Sequence, residues 1–122
     1  MVDLPPGPRI PPSKPPALKA HPDPAIPGLP AEVSARILAL LLADPAVREV
    51  WLYGSRAMGR HRPGSDIDLT LVAPALAHHD RLQLMHDLDD LLLPWSIDLS
   101  LHHELPGPLR EHVARVGRRL AP

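Results

Sequence analysis

Three aspartates lie in segments whose composition otherwise predicts β-strands, and these are the residues best suited to chemistry. Asp66 and Asp68 are two residues apart in the run S-D-I-D-L-T-L-V, and Asp98 interrupts the later run W-S-I-D-L-S-L. Aspartate is depleted in strands, so its repeated presence there needs an explanation. Alternate residues of a strand share one face about 7 Å apart, and neighbouring strands are about 4.8 Å apart. If the two strands pair, the three carboxylates converge on one patch.

Such a patch is electrostatically unfavourable without cations. Two carboxylates about 5 Å apart repel by roughly 3 kcal/mol at an effective dielectric of 20. A pair of Mg²⁺ ions about 3.5–4 Å apart would relieve this repulsion, and two-metal sites of that kind support in-line displacement at phosphorus. A solvated sheet face is an adequate explanation of any single aspartate, but it does not explain three of them together. The pattern therefore predicts a divalent-metal site for phosphoryl chemistry.

A glycine–serine pair ends the first predicted strand, upstream of the aspartates. Gly54 and Ser55 follow the apolar run V-W-L-Y and precede the D-x-D strand. A tight turn at a strand end is common in α/β proteins, so the pair alone is weak evidence. A turn that opens a helical segment also presents backbone N–H groups and a hydroxyl to phosphate oxygens. In combination with the D-x-D strand, the pair predicts a phosphate-binding turn.

The elements that must position these residues are short and alternate in type. Helical patterns span residues 31–44, 77–93 and 106–120, with a brief helical turn at 54–59, and strand patterns span 49–53, 66–72 and 96–102. This order predicts an α+β fold in which a small mixed β-sheet is flanked by helices. The apolar stripes of the last two helices are expected to be buried: Leu84, Leu88, Leu91 and Leu92 in one, and Leu109, Val113 and Val116 in the other.

Composition limits the class of protein. Eleven of the 18 prolines fall within the first 30 residues, which predicts a disordered or polyproline-II arm at 1–30 and one folded domain at 31–122. A formal net charge of −1 argues against direct nucleic-acid binding. The chain has no cysteine and no apolar run of about 18 residues, so we expect a cytoplasmic protein without a membrane segment. A domain of this size has room for one small core, so we expect a partner surface to complete the site.

The chain resembles the polymerase-β-type nucleotidyltransferases in three motifs: G-S-R-A-M-G at 54–59, S-D-I-D-L at 65–69 and I-D-L at 97–99. Within that superfamily it looks most like the minimal nucleotidyltransferases (MNT), which are usually encoded beside a HEPN-domain partner. The resemblance covers roughly residues 31–120 and leaves out the proline-rich arm. It implies a polymerase-β-like nucleotidyltransferase fold.

The resemblance also implies a catalytic role for each aspartate. Asp66 and Asp68 would bind two Mg²⁺ ions together with ATP. Asp98 would complete the metal site and assist deprotonation of the attacking hydroxyl.

For the turn, the resemblance implies contacts with the nucleotide. Gly54 and Ser55 would hold the β- and γ-phosphates, Arg56 would neutralise phosphate charge, and pyrophosphate would be the leaving group.

At the level of function, the resemblance implies an antitoxin. Several MNT proteins transfer AMP from ATP to a tyrosine of a HEPN-domain toxin and so silence it, which predicts a hetero-oligomer with a HEPN protein encoded nearby. Two alternatives remain open. One is a catalytically silent antitoxin that neutralises its partner by contact alone. The other is a transferase that modifies a small molecule, although the chain has no room for a domain that binds such an acceptor.

Overall fold

The computed structural model describes residues 25–122, and the predicted elements are present in the predicted order. They are α1 (Ala31–Leu42), β1 (Glu49–Tyr53), α2 (Gly54–Ala57), β2 (Ile67–Val72), α3 (His78–Asp89), β3 (Ile97–Leu101), a 3₁₀ helix (His102–Glu104), α4 (Gly107–Val116) and β4 (Arg118–Ala121). The α+β class is therefore confirmed. Within these residues no helix is both long enough and apolar enough to cross a membrane.

The four strands form one mixed sheet in the order β3-β2-β1-β4. β1 is antiparallel to both β2 and β4, whereas β2 and β3 are parallel. Parallel neighbours need a crossover connection, and α3 provides it between β2 and β3. The register places Asp68 opposite Asp98 on one side and opposite Tyr53 on the other. The predicted pairing of these two strands is thus present, and it places Asp68 beside Asp98.

One face of the sheet carries the main hydrophobic core, which α1 and α3 cover. Its buried members come from alternate strand positions and from the apolar stripes of the two helices: Val50, Leu52, Ile67, Leu69, Leu71, Leu99 and Leu101, with Ile37, Leu41, Leu84 and Leu88. The prediction that Leu92 belongs to this stripe is wrong, because its side chain is 87% exposed. α3 ends at Asp89, and Leu92 then takes a positive φ of 55° as the chain turns toward Pro94.

The opposite face carries a smaller apolar cluster beneath α4. Tyr53, Leu105 and Val113 are buried there. α4 packs mainly on β1 and α2, so it covers one side of this face and leaves the ends of β2 and β3 open. The carboxylates therefore lie at the edge of a packed surface and remain accessible from the outside.

The predicted C-terminal helix is too long. α4 ends at Val116, Gly117 takes an extended conformation, and β4 follows as an edge strand beside β1. Glycine disfavours helix continuation, and the strand satisfies N–H and C=O groups of β1 that would otherwise lack partners. Leu109, which was expected to be buried, is 40% exposed, because the side of α4 that carries it faces a cavity.

The predicted arm at residues 1–30 lies largely outside the described residues. Its last part is described, and there Ile26 and Leu29 are buried in the main core. The backbone N–H of Ile26 also donates a hydrogen bond to Ser34 Oγ at 3.3 Å. The packed residues thus begin before the predicted domain boundary at residue 31. For residues 1–24 the arm stays a prediction.

Candidate active site

β1 passes directly into α2 at Gly54, where the backbone has a φ of +73°. Glycine adopts this left-handed conformation without the strain that a side chain would bring. A Cβ atom on Gly54 would also collide with the carboxylate of Asp68. The backbone of the turn therefore lies against the central carboxylate, and only glycine permits both the turn and this close approach.

Asp68 and Asp98 are neighbours across the parallel pair of β2 and β3. Asp68 is half-buried, whereas Asp98 and Asp66 are exposed. Burial raises the pKa of the Asp68 carboxyl above its ordinary value, the charges of Asp98 and Asp66 raise it further, and His112 has a smaller opposing effect. Burial and the repulsion between carboxylates that the sequence predicted therefore act together on Asp68.

A cavity of about 560 Å³ opens between the ends of these strands and α4. The sheet side contributes Gly54, Asp68 and Asp98, together with Tyr53, and α4 contributes the other wall. A volume of this size is typical of small-molecule sites, which range from about 300 to 1,000 Å³. Three of the residues that the sequence pattern singles out therefore share one cavity.

Two further predicted residues lie close to this cavity without lining it. Asp66 immediately precedes β2, and its charge acts on Asp68. Ser55 follows Gly54 in α2 and is half-buried. Its carbonyl oxygen accepts a hydrogen bond from the N–H of Arg60 at 2.8 Å, which folds the following loop back over the turn.

The structure does not bring Arg56 to the cavity. Its side chain is 1% exposed, and its guanidinium donates to two carbonyl oxygens, that of Pro27 at 2.7 Å and that of Ser65 at 2.9 Å. The expectation that Arg56 neutralises phosphate charge does not fit this position, because its donors are turned toward protein carbonyls. Arg56 instead ties the segment before α1 to the residue that precedes Asp66.

Sequence reasoning missed the contribution of α4 to the cavity. His112 Nε2 accepts a hydrogen bond from the N–H of Gly54 at 3.3 Å, and its ring meets that of Tyr53 edge-on with centroids 6.1 Å apart. Burial raises the pKa of the Tyr53 hydroxyl, against the lowering effect of a hydrogen bond with Ser100. No local signal identifies His112, because its contact joins residues 58 positions apart and depends on how α4 packs.

The donor set at the ends of β2 and β3 suits a hard divalent cation. Carboxylate oxygens are ligands that Mg²⁺ prefers, and a bound cation would offset the burial and the carboxylate repulsion that raise the pKa of Asp68. The residues that could hold such a cation are Asp66, Asp68 and Asp98. With the Gly54 turn beside them, carboxylates in this arrangement are suited to a metal-bound nucleoside triphosphate, whose phosphorus a divalent cation would activate toward displacement.

A family profile and several solved structures match this chain. The profile described as Polymerase beta, Nucleotidyltransferase matches residues 36–121. A crystal structure of a toxin–antitoxin with AMP-PNP is similar with a TM-score of 0.62 and 27% sequence identity, covering 70% of each chain. The tri-AMPylated Shewanella oneidensis HEPN toxin in complex with MNT antitoxin gives a TM-score of 0.56 and 25% identity, covering 70% of this chain and 66% of that one. No curated protein matches the sequence.

Proposed function

The chain belongs to the polymerase beta nucleotidyltransferase family, and from that premise we propose that it transfers AMP from ATP to a HEPN-domain toxin and so acts as its antitoxin. The resemblance to a minimal nucleotidyltransferase domain is confirmed by the family match and by the likeness in fold. The observation that carries the proposal is the shared cavity, in which the Gly54 turn lies against Asp68 and beside Asp98.

In this proposal the aspartates hold the metal and the turn holds the phosphates. Asp66, Asp68 and Asp98 bind two Mg²⁺ ions, and bound Mg²⁺ supplies charge neutralisation on the phosphate oxygens. The backbone N–H of Ser55 donates to the β- and γ-phosphates, and the N–H of Gly54 joins it when a phosphate oxygen replaces His112 Nε2 as its acceptor. The half-buried position of Asp68 supports this assignment, because its carboxylate is poorly solvated and gains most from a cation.

The reaction is a displacement at the α-phosphorus of ATP. A hydroxyl oxygen of the acceptor forms a bond to the α-phosphorus, the bond from that phosphorus to the bridging oxygen breaks, and pyrophosphate leaves. The hydroxyl proton passes to the carboxylate of Asp98, which acts as general base. Asp98 is exposed on the edge strand β3, so an acceptor presented by another protein can reach it.

The relatives support the choice of donor and acceptor. One similar structure contains AMP-PNP, which supports ATP as the donor, and another contains a tri-AMPylated HEPN toxin with its MNT antitoxin. We propose a tyrosine hydroxyl of the HEPN partner as the acceptor, with the two proteins forming a hetero-oligomer. Contact-only neutralisation and small-molecule transfer are the competing outcomes of the test below.

The proposal is tested by following label from α-³²P-ATP to the purified partner in the presence of Mg²⁺. Label on the partner is expected with wild-type protein and with Asp89→Asn, a control that removes an exposed carboxylate of α3 away from the cavity. Asp68→Asn, or chelation of the metal, is expected to abolish labelling. Neutralisation of the toxin without labelling would establish the contact-only antitoxin, and label found only on a small molecule would establish the other alternative.

A further inference from the structure

The burial of Arg56 leaves the triphosphate without the arginine that the family resemblance implied for it. A nucleoside triphosphate carries several negative charges, and the sheet side of the cavity contributes two carboxylates, Asp68 and Asp98. Among the residues that line this cavity, Arg115 is a cation, and it lies near the C-terminal end of α4. Arg115 lies on the wall opposite the aspartates, where its positive charge can pair with a phosphate group.

The face of α4 that lines the cavity changes in polarity along the helix. Residues three or four positions apart share one face of a helix, and Pro108, Leu109, His112 and Arg115 all line the cavity. The wall is therefore apolar near the start of α4 and polar or cationic near its end. An ATP molecule has a matching arrangement, with the apolar ring faces of its base at one end and the charged phosphates at the other.

A hydrogen bond fixes which end of this wall faces the phosphate-binding turn. The N–H of Gly54 donates to Nε2 of His112, so this donor points at α4. A phosphate oxygen that replaces Nε2 as the acceptor of this N–H accordingly lies next to the His112 ring. Arg115 is one helical turn further along the same face, on the side away from Pro108 and Leu109.

We infer that α4 forms the second wall of the nucleotide site and that Arg115 pairs with the β- or γ-phosphate of ATP. This inference rests on the proposed function and extends it. The planar guanidinium of arginine donates two parallel hydrogen bonds to phosphate oxygens, which makes such a pair both strong and geometrically selective. Pro108 and Leu109 then face the nucleoside, and His112 lies between the two ends.

The test is to titrate ATP and AMP, each with Mg²⁺, into the full chain by calorimetry, comparing wild type, Arg115→Gln and Arg119→Gln. Arg119 is an exposed residue of β4 outside this cavity, so its substitution matches the change in net charge. Arg115→Gln is expected to weaken ATP binding about tenfold, or about 1.4 kcal/mol, and to leave AMP binding unchanged because AMP lacks the β- and γ-phosphates. Arg119→Gln should leave both affinities unchanged.

The outcomes separate this inference from the proposal on which it rests. Equal ATP affinity for wild type and Arg115→Gln, or equal losses for ATP and AMP, would overturn the inference and leave the transferase proposal standing. Absence of ATP binding by the wild type would overturn both. If Arg115→Gln lowers the melting temperature, Arg115→Lys is used instead. Lysine keeps the positive charge but cannot donate two parallel hydrogen bonds. We therefore expect Arg115→Lys to lose less ATP affinity than Arg115→Gln and to leave AMP affinity unchanged.

Discussion

Gly54 is the residue on which the geometry of the site depends most, because it combines a positive φ with contact to Asp68. In Gly54→Ala the new Cβ must displace the carboxylate, and a misplacement of about 1 Å at a reacting centre costs on the order of 100-fold in rate. We therefore expect AMP transfer to fall by about that factor. Gly59→Ala is the matched control, since Gly59 has a φ of +72° but open space around its Cβ position.

The control should show only the cost of backbone strain. A left-handed conformation costs an ordinary residue roughly 1–2 kcal/mol, so Gly59→Ala should lower the free energy of unfolding by about that amount while the transfer rate is retained. Transfer rates and chemical unfolding of both variants provide the comparison. Equal loss of transfer in the two variants would show that turn strain, and not the approach to Asp68, governs activity.

Asp68 is expected to contribute to function at the expense of stability in the metal-free protein. Its pKa is raised in the fold, so the ionised carboxylate is less favourable there than in the unfolded chain. The stability associated with this group is fully present below the ordinary aspartate pKa of 3.8 and is lost as pH rises through the higher folded value. Asp68→Asn should therefore stabilise the metal-free protein at neutral pH, toward the lower end of about 0.5–2 kcal/mol because the side chain is partly solvated.

Thermal unfolding at several pH values measures this effect. The advantage of Asp68→Asn should disappear as pH falls below 3.8. Added Mg²⁺ should raise the melting temperature of the wild type more than that of the variant, because only the wild type retains the full set of carboxylates. A variant less stable than wild type at neutral pH in the absence of metal would contradict this view of Asp68.

At the scale of elements, the predictable part of the structure is the part encoded by local patterns. β1 and β2 were predictable because apolar runs end at Gly54 and at Pro74. The D-x-D motif and the later Asp98 also identified the two strands, β2 and β3, that carry the carboxylates. β4 was not predictable, because R-R-L-A continues a helical pattern and becomes a strand only through pairing with β1. The role of α4 was also hidden, since its face on the cavity is set by long-range packing.

Arg56 shows how a recognised motif residue can hold elements together instead of contacting substrate. Its guanidinium joins the carbonyl of Pro27 to that of Ser65, and hydrogen bonds of charged groups contribute about 1.5–3 kcal/mol. Arg56→Gln should lower the free energy of unfolding by about 2–3 kcal/mol, since the shorter amide cannot reach both carbonyls. Urea unfolding measures this loss, and Arg36→Gln, at an exposed position of α1, should have little effect on it.

One result would support the phosphate contact that the family resemblance implied for Arg56. If Arg56→Gln leaves stability unchanged and weakens ATP binding, the side chain must reach the phosphates in solution. The structural role requires the loss of stability to be present without nucleotide.

At the scale of the whole molecule, the position of the domain boundary decides which segment can be removed. We propose that residues 1–24 are dispensable for folding, whereas Ile26 and Leu29 belong to the core. Burial of an aliphatic side chain contributes about 1.5–3 kcal/mol, so a chain beginning at residue 31 should lose about 3–6 kcal/mol relative to one beginning at residue 25. Chemical unfolding of the two truncated chains tests this prediction. Equal stabilities would show that the folded domain begins at residue 31, as the sequence predicted.

In the proposed assembly, this small domain modifies a HEPN-domain partner. The most direct measurement is the intact mass of that partner after co-expression with the wild-type chain and with Asp68→Asn. We predict a gain equal to one or more AMP units with the wild type alone, located on tyrosine by peptide mapping, and an unmodified partner with the variant. An unmodified partner held in a stable, non-toxic complex with the wild type would contradict the account and show that contact alone neutralises the toxin.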